Sequence, residues 1–395
     1  MAKVAIVTNA ETSDQRSMIG YGELLLESAS RAGYQVAEWR AISWLSRLAP
    51  GRVAGRPAAK LLANLDRFVS TPMAFAGRRA DIVHIVDPGN VPYLDVVRCA
   101  RAIVTVHDVI PYLCVAGRLE GFQPSPLGRR LMAAILKRLP RFQRIVCVSE
   151  NTRRDLLSLV ALAPERVVVI PNAVFQPMQR APLPAQASLR QRLGLPPDAP
   201  VLLHVGSNSF YKNRATVLAV FLRLAAAHPT LQLLFVGPRT HDLVSAARAA
   251  ALGHRVHFAE RLNREEMSVA YSLASALLFP SLYEGFGYPV LEAQLCGTPV
   301  VCSRAGSLPE VAGDAAMLTD PMDVDAMAAA IARVLANEPT RLIAAGHANA
   351  QRFDKETWHR RHAALYADVL DRRAAGNGAR CLPPQQARAA AMREA

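Results

Sequence analysis

No stretch of the 395-residue chain approaches the roughly 18 consecutive uncharged apolar residues that a membrane-spanning helix needs. The opening Met1-Ala2-Lys3-Val4-Ala5-Ile6-Val7-Thr8 carries one lysine and an apolar run too short for a secretory signal. It reads as a buried strand, and the chain is expected to stay in the cytosol. After that strand there is no Gly-x-Gly-x-x-Gly; Gly20 and Gly22, expected just ahead of the first helix, are the only glycines before residue 23. A nicotinamide dehydrogenase is therefore disfavoured. Gly-Lys-Ser/Thr is missing, which excludes a P-loop nucleotidase, and without a Gly-x-Ser-x-Gly elbow a serine hydrolase has little support. The cysteines Cys99, Cys114, Cys147, Cys296, Cys302 and Cys381 lack the paired spacing of zinc or redox motifs and read as reduced, mostly buried thiols. No metal cluster is visible. Nor is there an aromatic-interleaved basic motif or a recognition helix, so nucleic acid is not an expected partner.

What is present is enough apolar residue, 51% against 20% charged, to bury large cores, over a length that suits two domains. The net charge of +14 is uneven: residues 1–180 hold 24 Lys and Arg against 14 Asp and Glu. A basic first half suits an acidic partner such as a phosphorylated substrate or an anionic membrane surface; a general arginine-rich bias in composition explains it equally well.

Short apolar runs alternate with longer amphipathic ones. Strands are expected at 4–8, 82–86, 102–106, 145–148 and 167–170, then at 201–205, 232–236, 256–258, 276–279 and 299–302. Helices are expected between them, at 23–31, 152–159, 215–227, 264–272 and 324–336. Buried strands alternating with helices point to parallel sheets covered on both faces, and the repeat of that order points to two doubly wound α/β domains. The expected division is a first domain over 1–175, a linker over 176–198 broken by Pro177, Pro182, Pro184, Pro196 and Pro197, and a second domain over 199–350. A final helix over 351–373, with Phe353, Trp358, Leu365, Tyr366 and Val369 on one face, follows, and 374–395 reads as a mobile tail. The basic amphipathic stretch Gly128–Leu139 is either an ordinary crossover helix or a segment that lies on an anionic membrane.

Three strand ends carry the chemistry. In Phe279-Pro280-Ser281-Leu282-Tyr283-Glu284-Gly285-Phe286-Gly287-Tyr288-Pro289, a buried strand enters a glycine loop, and Pro289 fits the first turn of a helix whose N-terminus welcomes an anion. Glu284 and Glu292 flank that loop. Carboxylates do not bind phosphate, but they accept hydrogen bonds from sugar and ribose hydroxyls. In Leu203-His204-Val205-Gly206-Ser207-Asn208-Ser209-Phe210-Tyr211-Lys212-Asn213, a second strand leads through small residues to Lys212, which is placed either for a diphosphate or simply as a solvated helix-start lysine. In Val104-Thr105-Val106-His107-Asp108, a third delivers a His–Asp pair, structural or proton-exchanging.

Together these segments resemble the retaining glycosyltransferases of family four, a GT-B-fold group containing many bacterial mannosyltransferases. Phe279–Ala293 resembles that family's paired-glutamate signature. Thr298–Val301, Ser307–Gly313, Thr105–Tyr112, Cys147–Leu156 and Val169–Val174 resemble further family segments in the same order. The resemblance reaches to about residue 371 and implies two Rossmann-like domains facing a central cleft. It implies that Glu284 binds donor-sugar hydroxyls, with Gly285 and the N–H groups of Phe286 and Gly287 nearby, and that Glu292 binds the ribose. Lys212 would neutralise the diphosphate, with Gly206 and Asn213 beside it, and Arg261-Leu262 would contact the base. His107 would sit at the anomeric centre, Gly20 near the phosphates or acceptor, and the last helix would brace the first domain. The donor is a nucleotide-diphosphate sugar, GDP-mannose before UDP-hexoses, used without a cofactor or metal. The acceptor is a glycan or lipid-linked hydroxyl, reached from the cytoplasm with peripheral contact to an anionic membrane. An epimerase or hydrolase on a similar fold, or a silent donor-binding subunit, is the alternative. Ser207 and Tyr211 stand where many relatives carry arginine, so the diphosphate charge falls to Lys212, the helix N-terminus and, as a further candidate, Arg214; the loop near Gly20 is abbreviated.

Overall fold

The computed structural model describes residues 1–10, 16–47, 62–174, 178–336 and 339–371. β1 (Lys3–Thr8), β2 (Gln35–Arg40), β3 (Arg79–Ile85), β4 (Arg98–Val106), β5 (Arg144–Cys147) and β6 (Val167–Val169) form a parallel sheet in the order β2-β1-β3-β4-β5-β6. β7 (Val201–Val205), β8 (Gln232–Val236), β9 (Val256–Ala259), β10 (Ala276–Phe279), β11 (Val300–Ser303) and β12 (Met317–Thr319) form a second parallel sheet, ordered β12-β11-β10-β7-β8-β9.

Alternation along each strand feeds two cores per sheet. In β1, Ala5 and Val7 join Val83, Ile85 and Val104 on one face, while Val4 and Ile6 join Ile82 and Ile103 on the other. Leu203 and Leu277 likewise face one way, and Leu202 and Leu278 the other. The helix Lys355–Asp371 lays Trp358, Leu365, Tyr366 and Val369 on the Val4/Ile6 face of the first sheet, against Tyr21 and Leu25 of the helix Arg16–Arg31. A polar chain runs through this apolar layer: the His84 ring nitrogens bond the Tyr366 and Thr105 hydroxyls at 2.9 Å each, and Tyr21 links Thr105 to His362 at 3.2 Å. Burial holds His84 and His362 well below the ordinary histidine range, so both imidazoles are neutral there.

Three expectations need correction. The interval 176–198 is not free of regular structure: Leu183–Leu193 is helical, because Pro182 precedes the helix and Pro184 lies in its first turn, where a missing N–H costs nothing. Gly194, at φ 67°, closes it, and Leu189 and Leu195 are buried in the second domain. Gly20 and Gly22 lie inside the helix Arg16–Arg31 rather than ahead of it. The sheets also gain the edge strands β2 and β12. The expected tail, 374–395, lies outside the described residues.

In an open parallel sheet, ligands bind beyond the carboxyl ends of the strands where the winding reverses. In the second sheet that point is between β7 and β10, and the segments leaving those two strands are 206–213 and 280–287. In the first sheet it lies between β1 and β3, with β4 alongside; Asn9, Asp87 and His107 leave these ends.

Candidate active site

Lys212 Nζ donates to Glu284 Oε1 at 2.7 Å, with side chains only 14% and 10% exposed. The ammonium also lies 5.3 Å from the ring centre of Tyr211 and 5.0 Å from that of Phe279. The two strand ends predicted to carry the donor site are thus joined through an ion pair. Gly206 is packed behind it: a Cβ there would lie 3.0 Å from His204 Nε2 and 3.3 Å from the Lys212 stem. Asn213 takes a left-handed turn (φ 51°) and donates to the carbonyls of Pro280 and Pro321 at 3.1 and 2.8 Å, fixing the segment that ends in Lys212 to the loop that carries Glu284.

The glycine loop reaches across to the first domain. Gly285 packs directly on the His107 carbonyl, and a Cβ there would overlap that oxygen and approach Asp108 Cβ to 2.8 Å. The Gly285 carbonyl accepts from Ser149 Oγ at 2.7 Å and Thr152 Oγ1 at 3.2 Å. Beside it the Tyr283 hydroxyl donates to Asp155 at 2.7 Å, and Glu310 accepts the N–H of Glu150 at 2.8 Å. Phe286 is buried with Val148, Leu291 and Phe353. Gly287 has φ 109°, open only to glycine at low strain, and starts the helix Tyr288–Leu295.

His107 Nε2 donates to the Val86 carbonyl at 2.9 Å, which leaves Nδ1 with its lone pair, and the ring meets the edge of Tyr21 at 4.8 Å. Burial lowers its pKa, with Asp87 and the Val86 carbonyl opposing, so the neutral imidazole is favoured. Asp108 caps the next helix by accepting the Ile110 N–H at 3.0 Å. Burial pushes its carboxyl to about 6, helped by Glu284 and Asp87 and opposed by the Ile110 N–H and Lys212. A carboxyl whose folded pKa exceeds its ordinary 3.8 holds its proton more tightly when folded, so stability falls as pH rises from about 4 to 6. Asp108→Asn is expected to flatten that part of the pH–stability curve by up to about 3 kcal/mol, as read from urea unfolding midpoints at pH 4, 5, 6 and 7.

The remaining predicted residues have other partners. Glu292 accepts the Tyr271 hydroxyl at 2.7 Å, and burial raises its pKa against that bond. Arg261 is exposed, and Leu262 packs against the second-domain core. Gly20 is buried within its helix, next to the Tyr21 that contacts His107. Sequence reasoning missed Tyr21, Ser149, Thr152, Asp155 and Tyr283 as site residues; only their place in quoted segments or beside Gly20 marked them.

Arg214, one residue past Asn213, is 5% exposed, and none of its three guanidinium nitrogens has a hydrogen-bond partner among the described residues. It stacks over the Phe235 ring at 4.9 Å, and burial lowers its pKa. A buried cation with no counter-charge costs free energy that an alkyl side chain does not. Arg214→Leu is expected to stabilise the protein by about 1–4 kcal/mol, raising Tm by several degrees in calorimetry.

The family described as "Glycosyltransferase Family 4" matches residues 28–175, and "Glycosyl transferases group 1" matches residues 185–350. The chain is 29% identical to O-antigen chain mannosyltransferase B of Escherichia coli over 267 residues, 66% of this chain and 68% of that one. It is 29% identical over 329 residues to D-inositol 3-phosphate glycosyltransferase of Kineococcus radiotolerans, 77% of this chain and 75% of that one. In structure it resembles sucrose-phosphate synthase from Thermosynechococcus elongatus, with TM-score 0.74 and 23% identity over 94% of this chain and 100% of that one. The fold is therefore GT-B, and the chain belongs to glycosyltransferase family 4.

Proposed function

We propose that the protein transfers a hexose from a nucleotide-diphosphate donor to a hydroxyl of a glycan or lipid-linked acceptor, with retention at the anomeric carbon. The observation that carries this reading is the Lys212–Glu284 pair at the reversal point of the second sheet, opposite His107 on the first. Lys212 and the N-terminus of the helix Tyr288–Leu295 stabilise charge as the diphosphate departs. Glu284 and His107 Nδ1 accept hydroxyls of the donor sugar, with the Phe286 and Gly287 N–H groups beside them. Glu292 holds the ribose, and the Arg261-Leu262 turn lies against the base.

Retention through a covalent intermediate needs a free carboxylate at the anomeric carbon. Here Glu284 is paired with Lys212, and Asp108 is turned to the Ile110 N–H. As the family resemblance implies, the acceptor hydroxyl attacks on the face the diphosphate leaves, and the departing phosphate oxygen takes its proton. Closure of residues 1–175 on 199–350, with 176–198 between them and 351–373 bracing the first domain, keeps water out. The diphosphate charge is assigned to Lys212 and the N-terminus of the helix Tyr288–Leu295.

GDP-mannose is the first donor to test, supported by the mannosyltransferase likeness, and UDP-hexoses are the second. No helix of the described residues is long and apolar enough to cross a membrane. Peripheral contact from the cytoplasmic side is assigned to the helix Pro126–Arg138, where Arg129, Arg130 and Lys137 are exposed. Binding to anionic vesicles that 0.5 M salt releases supports that contact; binding indifferent to lipid charge counts against it.

The deciding experiment is thermal shift with GDP-mannose, UDP-glucose, UDP-N-acetylglucosamine and the free nucleotides. Stabilisation by one nucleotide class is expected, lost in Glu292→Ala and weakened in Glu292→Gln, which keeps an acceptor for Tyr271. No shift with any nucleotide sinks the transferase reading; donor binding without turnover leaves a silent subunit, and donor consumption without acceptor a hydrolase.

A further inference from the structure

Behind His107 and Asp108, on the first-domain side, lies a cavity of about 520 Å³ between the helix Pro126–Arg138 and the turn Pro88–Asp95. Its walls are mostly apolar, with Phe68, Tyr112, Phe122, Leu131, Met132 and Ile135 among them. The polar groups along the same walls are engaged elsewhere. Arg138 holds Asp95 at 2.7 Å, Arg67 donates to the Gly89 carbonyl at 2.6 Å, and Asp108 accepts the Ile110 N–H. A ligand here therefore meets mostly carbon, with Arg67, Asp87, His107 and Asp108 supplying the polar part of the wall. Phe68 and Phe122 stand at the edge, 41% and 40% exposed. Single exposed apolar residues need no explanation, but two aromatics facing one apolar hollow do. A second cavity of about 470 Å³ shares Arg67 and Asp87 with the first, and its lining is mixed, with Asn9, Ser46, Asp66 and Asn90 beside Ala41, Ile42 and Tyr93.

A purely saccharide acceptor fits the first cavity poorly, because most of its hydroxyls would lose water against carbon without gaining partners. We infer that the acceptor is an amphiphile: a single alkyl or prenyl chain occupies the first cavity, and the polar head lies beside His107 and in the second cavity. This rests on the transferase reading. The chain adds binding energy remote from the reacting hydroxyl, and it fixes which end of the acceptor enters first.

The test has two arms on the full chain. In the first, dansyl-undecanoic acid is titrated into the protein and displaced by dodecyl α-mannoside or methyl α-mannoside. Displacement by the dodecyl compound alone is expected, with probe affinity falling at least about tenfold in Met132→Glu and in Phe122→Ser. Phe122→Ser alters an exposed position and guards against a folding defect. In the second arm, alkyl mannosides of increasing chain length are compared in turnover. KM is expected to fall by about fourfold per added methylene until the cavity fills, at constant kcat, and Met132→Glu erases the trend. Equal probe binding by wild type and both variants overturns the inference. So does displacement by p-nitrophenyl α-mannoside as efficient as by the dodecyl compound. Failure of turnover with every acceptor and donor counts against the transferase reading alone, since the probe arm still judges the cavity.

Discussion

Replacing Lys212 by methionine is expected to lower kcat by about 10²- to 10³-fold with much less change in donor KM. On the proposed reading, the side chain is held for a charge that grows during the reaction. Its side chain is 14% exposed, its ammonium lies close to two aromatic rings, and among the described residues Glu284 is its ionic partner. With Glu284 the pair is neutral before the donor breaks, which limits what it contributes to binding the intact donor. As the glycosidic bond lengthens, negative charge collects on the diphosphate, and the ammonium is already in place to meet it. Lys212→Arg does not restore the rate, because a planar fork cannot replace a point charge in the space beside Gly206. Glu284→Gln is expected to be similarly slow. The double variant should then cost little more than the worse single one, because the two side chains act as a unit. Steady-state kinetics on the four proteins decides this. Full additivity would mean that Lys212 and Glu284 serve separate steps, and an unimpaired Lys212→Met would remove the lysine from the leaving-group site.

How much of this was legible follows from where each residue sits in its sheet. Val4–Val7, Leu277–Phe279 and Val300–Cys302 are buried on both faces and therefore read as continuous apolar runs. β2 and β12 are edge strands: Gln35–Arg40 mixes exposed and half-buried residues and buries only Trp39, so neither alternation nor a run betrays it. The helix Leu183–Leu193 was hidden by its own prolines, which break a helix in the interior but suit its first turn. At the site, the residues that leave strand ends could be found one segment at a time. The Ser149 and Gly285 partners are 136 residues apart, and Tyr283 and Asp155 are 128 apart. No local pattern encodes such pairs; only the docking of one sheet's loops on the other creates them. Arg214 shows the converse. Beside Lys212 in the sequence it reads as a second phosphate cation, but the first turn of its helix directs it under the sheet, onto Phe235.

That docking makes Gly285 the second position of large effect. Gly285→Ala is expected to lower kcat by about 10²-fold while donor binding persists. The added methyl would overlap the backbone of the opposite domain at His107, and backbone cannot swing aside as the end of a long side chain can. The loop must therefore retreat by more than an ångström, drawing its carbonyl away from Ser149 and Thr152 and separating Glu284 and Lys212 from His107. Lys212, Asn213 and Glu292 all belong to the second domain, so their contacts survive the retreat. Nucleotide-induced thermal shift should remain near wild type, and the loss should appear in turnover. Loss of both would mean that the loop itself had collapsed. Wild-type turnover would mean that the approach of Gly285 to His107 is not part of the working geometry, and that the two halves of the site react from further apart.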